Sequence, residues 1–122
     1  MIVTTQEGNS SIVFKNAGDQ INILFADQVI VLPPEVARKL PETLDAFYYN
    51  NEQWRNNIQL PGLTEQQGSV GFGVLPYDIQ TYPQIRVSKN GKTRIISITT
   101  DEMRKAVADL RKLCNQKPGV SK

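Results

Sequence analysis

The chain has 122 residues, 39% apolar and 21% charged, with one cysteine, no histidine and a formal net charge of +2. That length suits one hydrophobic core, and a single domain over 1–122 is expected. One cysteine cannot form an internal disulfide, which fits a reducing, cytoplasmic setting, and the lack of histidine removes the commonest general base and zinc ligand.

No apolar run approaches the ~20 residues a membrane-spanning helix needs. The start, Met1-Ile2-Val3-Thr4-Thr5-Gln6-Glu7, has neither the basic nor the apolar region of a signal peptide. Charge is unevenly spread. Residues 83–122 carry ten basic and three acidic side chains, net +7, while the first 82 carry four and nine, net −5. Such segregation implies either an anionic partner or self-association between unlike surfaces.

The first predicted elements are strands over 11–15 and 20–25. Ile21, Ile23 and Phe25 alternate with polar or smaller residues, the period of a half-buried strand. Between them Lys15-Asn16 is read as a tight turn. Ala26-Asp27 turns the chain into Gln28–Leu32, whose unbroken run Val29-Ile30-Val31-Leu32 fits a strand covered on both faces. Pro33-Pro34 ends it, because proline cannot donate to a ladder. Pro34 then suits a first helical position, with Glu35 beside the positive end of the dipole. Val36, Leu40 and Leu44 form an apolar stripe that Pro41 interrupts, so a kink or two short helices are expected.

Residues 50–84 are rich in amides and in Pro and Gly. With the residues just before, they hold most of the aromatics: Phe47, Tyr48, Tyr49, Trp54, Phe72, Tyr77 and Tyr82. Tyr48–Ile58 is read as a continuation of the first helix, and Val70–Leu75 as a strand. Beyond it, Ile85-Arg86-Val87 and Arg94–Thr99 flank Lys89-Asn90-Gly91-Lys92, and Asn-Gly is the preferred centre of a type I′ hairpin turn. Thr99-Thr100-Asp101-Glu102 is a capping box. Met103, Val107, Leu110 and Leu113 or Cys114 make the buried stripe of a last helix, which Pro118-Gly119 ends.

The same pattern thus occurs twice. The expected fold class is α+β, a mainly antiparallel sheet with two helices, built as a pseudo-repeat of a strand–strand–strand–helix unit. The halves span about 1–49 and 68–117. Lys15-Asn16 pairs with Lys89-Asn90 in that reading.

No pattern supports catalysis, and a non-enzymatic protein without cofactor or metal is expected. Cys114 lies on an apolar helix stripe, where a buried structural thiol is the ordinary role. Gly68-Ser69-Val70-Gly71-Phe72-Gly73 has the wrong order for a dinucleotide loop and fits strand glycines or a bulge. Arg86, Lys89, Lys92 and Arg94 cluster on one short ribbon and are candidates for neutralising phosphates. The plain alternative is a charged edge that resists aggregation. Tyr77 and Tyr82, flanked by polar residues and prolines, are the aromatics expected at the surface, where they would stack unpaired bases. Core packing is the commoner role of any aromatic. The basic face of the last helix, Arg104, Lys105, Arg111 and Lys112, reads as solvated.

Two multi-stranded units, each closed by a helix, resemble the Whirly and positive-cofactor-like transcriptional regulators. Lys89-Asn90-Gly91-Lys92 echoes the Lys-Gly-Lys strand motif of the Whirly group, though the residues after it do not match. Three strands per unit are visible rather than four, unless Ile2–Thr5 and Val70–Leu75 supply the others. The resemblance implies binding of single-stranded DNA on a curved sheet and a homo-oligomer built through helices. The leading expectation is therefore non-enzymatic binding of single-stranded nucleic acid. The alternative is a protein–protein interaction or regulatory module acting as a homodimer.

Overall fold

The computed structural model describes residues 1–49, 53–54, 58–77 and 80–115. The chain begins with a four-stranded antiparallel meander, β1 (Ile2–Glu7), β2 (Ser10–Ala17), β3 (Gln20–Phe25) and β4 (Gln28–Leu32), in the order β1-β2-β3-β4. Two short helices follow, α1 (Pro34–Ala37) and α2 (Leu40–Phe47). The break falls at Arg38-Lys39, and Pro41 sits in the first turn of α2, where its missing N–H removes no helical bond. The chain then forms a two-stranded ribbon of β5 (Tyr48–Tyr49) and β6 (Gln53–Trp54). Helix α2 therefore ends at Phe47. The described residues of the expected helical continuation, Tyr48–Tyr49, Gln53–Trp54 and Ile58, are extended instead, while residues 50–52 and 55–57 lie outside the described ones. Tyr48 is already extended, with φ −109° and ψ 91°.

The second sheet is also antiparallel, in the order β10-β9-β8-β7. Its strands are β7 (Ile58–Gln59), β8 (Ser69–Tyr77), β9 (Gln80–Lys89) and β10 (Lys92–Ser97), and α3 (Thr100–Cys114) closes the unit. Each unit is thus four strands and a helical segment, an α+β fold. The added strands are β1 in the first unit and the two-residue β7, set beside the expected strand at Val70–Leu75, in the second.

Turn chemistry corrects the register of the repeat. Lys15-Asn16 is not a turn: both residues lie inside β2, opposite Asn22 and Ile21 of β3. The reversal comes at Gly18-Asp19, where Gly18 has φ 66°. The counterpart of Asn90-Gly91 is Ala26-Asp27, because each pair immediately precedes the last strand of its unit. Asn90 and Gly91 take φ 53° and 78°, the two positive values a type I′ turn requires. Ala26 takes φ 50° without the glycine that normally occupies such a position.

The core lies between the inner faces of the sheets and beneath the helices. Val3, Ile12, Phe14, Ile23 and Ile30 line it from the first sheet, and Val70, Phe72, Ile85, Val87 and Ile96 from the second. Helix α3 inserts Met103, Val107, Leu110 and Leu113 and packs on β1, β2 and β9. Phe47 of α2 meets Phe72 of β8 with ring centroids 5.4 Å apart, which joins the two units. The capping box forms at Thr99: its Oγ1 accepts from Glu102 N at 3.1 Å, and Glu102 Oε1 accepts from Thr99 N at 3.0 Å. Those bonds hold the Glu102 carboxyl below its ordinary range.

The strand β4 departs from expectation. Val29 and Val31 are 39% and 40% exposed, so only Ile30 and Leu32 face the core. An unbroken apolar run does not require two covered faces when one face of a sheet is left open. No helix among the described residues is long and apolar enough to cross a membrane.

Candidate nucleic-acid interface

Strands β9 and β10 carry the second sheet's cations, two each, and the two-residue period of a strand decides where their side chains go. Ile85 and Val87 are buried, so Gln84, Arg86 and Ser88 stand on the outer face. The Asn90-Gly91 turn sets the pairing with β10: Lys92 opposite Lys89, Arg94 opposite Val87, and Ile95 opposite Arg86. Residues directly opposite share a face. Arg94 therefore lies on the core side beside Val87, and Arg86 on the outer side beside Ile95. The ribbon that carries all four candidate cations divides them between its two faces.

Lys89, Lys92 and Arg94 lie together on the side that meets the first sheet, and each has a partner there. Lys89 Nζ donates to the Val29 carbonyl at 2.6 Å, and Lys92 Nζ to Asp27 Oδ1 at 2.5 Å. Asn90 Nδ2 donates to Gln28 Oε1 at 3.0 Å, and Arg94 Nη1 to the Ser11 carbonyl at 3.4 Å. The tip of the β9–β10 hairpin is thus latched to the tip of the β3–β4 hairpin. Val29 opposes Leu24 one pair beyond the turn, so its carbonyl points off the open edge of the sheet, and Lys89 caps that edge. The hydrogen bond from Lys92, followed by that from Gln28, holds the Asp27 carboxyl below its ordinary range.

Glu7 makes a further bond between the sheets. Its Oε1 accepts from Ser97 N on the edge of β10 at 2.8 Å.

Arg86 has different surroundings. Its neighbours across the strands are Ile95 on one side and Gly71 on the other. Gly71 and Gly73 of β8 add no side chains to this face, and a Cβ on Gly71 would stand 3.5 Å from the Gln59 amide. The rest of the face is polar. Gln84 Nε2 donates to Ser97 Oγ at 2.9 Å, and the hydroxyls of Ser88 and Thr93 lie 3.0 Å apart. Ser69 opposes Ser88 from β8.

Two apolar side chains interrupt that surface. Ile95 is 48% exposed beside Arg86, and Tyr82, on the same side of β9, is 36% exposed. Four residues of strand place Tyr82 about 13 Å from Arg86 along β9. Tyr77 belongs to β8 opposite Gln80, and its side chain lies outside the described residues.

Of the six candidate site residues, then, Arg86 and Tyr82 share the outer face, and Lys89, Lys92 and Arg94 share the latch. Gln59, Gly71, Gln84, Ser88, Thr93 and Ile95 join the outer face without having been singled out. Their signal was available: the Asn-Gly turn sets the β9–β10 register, and alternation then sorts every residue by face.

The cations of α3 are partly neutralised at close range. Arg111 Nη2 meets Asp45 Oδ1 at 2.7 Å, Lys105 Nζ meets Asp109 Oδ2 at 2.8 Å, and Arg104 Nη1 meets Asp101 Oδ1 at 3.4 Å. The Cys114 thiol is half-buried, and burial pushes its pKa up to about 11, so it is protonated and unreactive at neutral pH. Gly68 serves packing rather than phosphate binding. It takes φ 115°, and a Cβ there would meet the Ser88 carbonyl at 2.7 Å.

The chain matches no protein-family model and no curated protein sequence.

Proposed function

We propose that this protein binds single-stranded DNA on the outer face of its second sheet, without catalysing a reaction. One observation carries the reading. Arg86 and Tyr82 stand on one face of β9 with exposed Ile95, amid hydroxyls and amides, beside a strand whose glycines leave the surface low. Arg86 supplies a planar, permanently charged fork suited to a phosphate. Ser88, Thr93, Gln84 and Gln59 supply hydrogen bonds to the sugar–phosphate backbone. Tyr82 and Ile95 supply apolar surface for unpaired bases, and stacking on an aromatic contributes about 1–3 kcal/mol per base. A duplex hides its base faces in the stack, so this face favours single strands. The latch cations Lys89 and Lys92 lie at the end of the same ribbon and add a positive field, moderated by Asp27.

The test is fluorescence anisotropy with a labelled oligo-dT and its duplex at two salt concentrations. Preference for the single strand, weakened by salt, is the expected result. Equal or absent binding of both at low salt removes the reading.

A homodimeric interaction module is the second reading, favoured by the first sheet. Leu24, Val29 and Val31 stand exposed together on the outer face of β3 and β4. A mass that doubles with concentration, in a protein that ignores oligonucleotides, selects this reading.

A further inference from the structure

An open sheet edge is a template for another strand, and proteins blunt the edges they do not use. The two four-stranded sheets end in β1, β4, β7 and β10. On β4, Lys89 takes the Val29 carbonyl, and Pro33 follows the strand at once. On β10, the Glu7 carboxylate accepts from Ser97 N. The strand β7 is only two residues long. By contrast, β1 has six residues and carries neither lysine nor proline.

Pairing with β2 decides which backbone groups of β1 face outward. Just before the strand, the Met1 carbonyl accepts from Asn16 N at 3.4 Å. By alternation, Val3–Phe14, Thr5–Ile12 and Glu7–Ser10 are the pairs that exchange ladder bonds. Ile2, Thr4 and Gln6 therefore turn their N–H and C=O groups away from β2. All three residues are exposed, and among the described residues none of those outward groups has a hydrogen-bond partner.

That edge borders a groove of about 230 Å³, walled on its other side by Glu102, Lys105, Ala106 and Asp109 of α3. Four consecutive residues of β1, from Val3 to Gln6, line it. Neighbours in a strand point to opposite faces, so what four in a row present in common is their backbone edge. The groove thus runs between an open ladder and one face of a helix, a setting in which an extended peptide adds as a new strand. Its helical wall sets two carboxylates, Glu102 and Asp109, against the Lys105 ammonium, and Glu7 follows Gln6 along β1. A strand that carries cations complements that wall.

We propose that the open edge of β1 binds an extended, basic segment of a partner protein. The segment joins the first sheet through the outward groups of Ile2, Thr4 and Gln6, with its cations along the α3 carboxylates. A second copy of β1 fits less well, since that strand has no cation and ends in Glu7. None of these residues belongs to the outer face of the second sheet, so the site stands whether or not that face binds DNA.

The experiment is fluorescence anisotropy of the full chain with a labelled, end-capped peptide of alternating lysine and valine. Two counterparts are titrated beside it. One is N-methylated along its backbone, which keeps the charge and removes the ladder donors; the other has glutamate in place of lysine. The lysine peptide should bind at least about tenfold more tightly than either. Thr4→Pro removes an outward donor and no β1–β2 bond, so it should weaken that peptide several-fold while the circular dichroism spectrum matches the parent. In the parent chain, amide hydrogen exchange at Thr4 and Gln6 should slow when the peptide is added, with little change at Val3 and Thr5. No binding of the lysine peptide at millimolar concentration, equal binding of the N-methylated one, or unchanged exchange at Thr4 and Gln6 overturns the proposal. Self-association that slows the same exchange without peptide also overturns it, in favour of a second copy.

Discussion

The two sheets have the same strand order and opposite outer faces. The first exposes Leu24, Val29 and Val31; the second carries half-buried Gln84, Arg86 and Ser88 and exposed Thr93 around Ile95 and Tyr82. Their inner faces are alike, both apolar and both sealed by helices. The repeat therefore specifies how the core is built, and the outer faces are free to differ because neither carries core packing. In our reading function belongs to that difference, and the polar face meets DNA.

The largest expected effect comes from breaking what the sheets share. Phe72→Ala removes the ring that meets Phe47 across the core and should cost about 3–5 kcal/mol in urea unfolding. Both units should melt in one transition, since the core is a single cluster. Two separate transitions would show that the units are independent.

Substitutions on the outer faces sharpen the contrast with less cost to the fold. Leu24→Lys and Val31→Lys on the first sheet should leave oligo-dT affinity unchanged. On the second sheet, Ile95→Asp should weaken it by about tenfold, through a lost apolar contact and an anion beside the phosphate site. Thermal midpoints of all three should fall only modestly, because each residue is 38–48% exposed and none belongs to the fully buried core.

Glycines on one strand separate binding from stability. Gly71→Ala places a methyl at ordinary contact distance from Gln59 and reduces unfolded-chain entropy, so stability should hold or rise by about 0.5 kcal/mol while oligo-dT affinity falls. Gly68→Ala, at φ 115° and 2.7 Å from the Ser88 carbonyl, should instead destabilise by about 1–3 kcal/mol. Chemical denaturation of the two variants side by side checks both signs.

The smallest effect concerns the latch and the helix cap. Asp27 and Glu102 have carboxyls lowered from 3.8 and 4.5, so each stabilises the fold above its ordinary value. That contribution is lost as pH falls through the lowered folded values. Urea midpoints should be level above about pH 4.5 and decline below it, with the decline reduced in Asp27→Asn. At neutral pH, Asp27→Asn should also tighten oligo-dT binding a few-fold, because it uncovers the Lys92 charge.

Much of this architecture was legible because it rests on local chemistry. Asn90-Gly91 dictates a type I′ turn, Thr99 and Glu102 form their box, and Pro41 splits the helical stripe as its missing donor requires. The misplaced elements are those that depend on distant partners. Lys15-Asn16 has turn-forming residues, yet Asn16 stays in β2, where its side chain bonds the Leu113 carbonyl 97 residues away. Val29 and Val31 look like core, but that face is covered only in part, and both side chains stay about 40% exposed. The basic ribbon was visible as a cluster, and only its pairing register shows that Arg86 stands apart from Lys89, Lys92 and Arg94. The latch itself was hidden, since it joins two turns over sixty residues apart.

The most direct test is the oligo-dT affinity of Arg86→Gln beside that of Lys112→Gln, a cation of α3 away from the sheet, with each fold verified by circular dichroism. The account predicts about a tenfold loss for Arg86→Gln and little change for Lys112→Gln, with the salt dependence shallower by about one counterion in the former. Equal affinities for the two variants, or an Arg86→Gln protein that binds as the parent does, would contradict it.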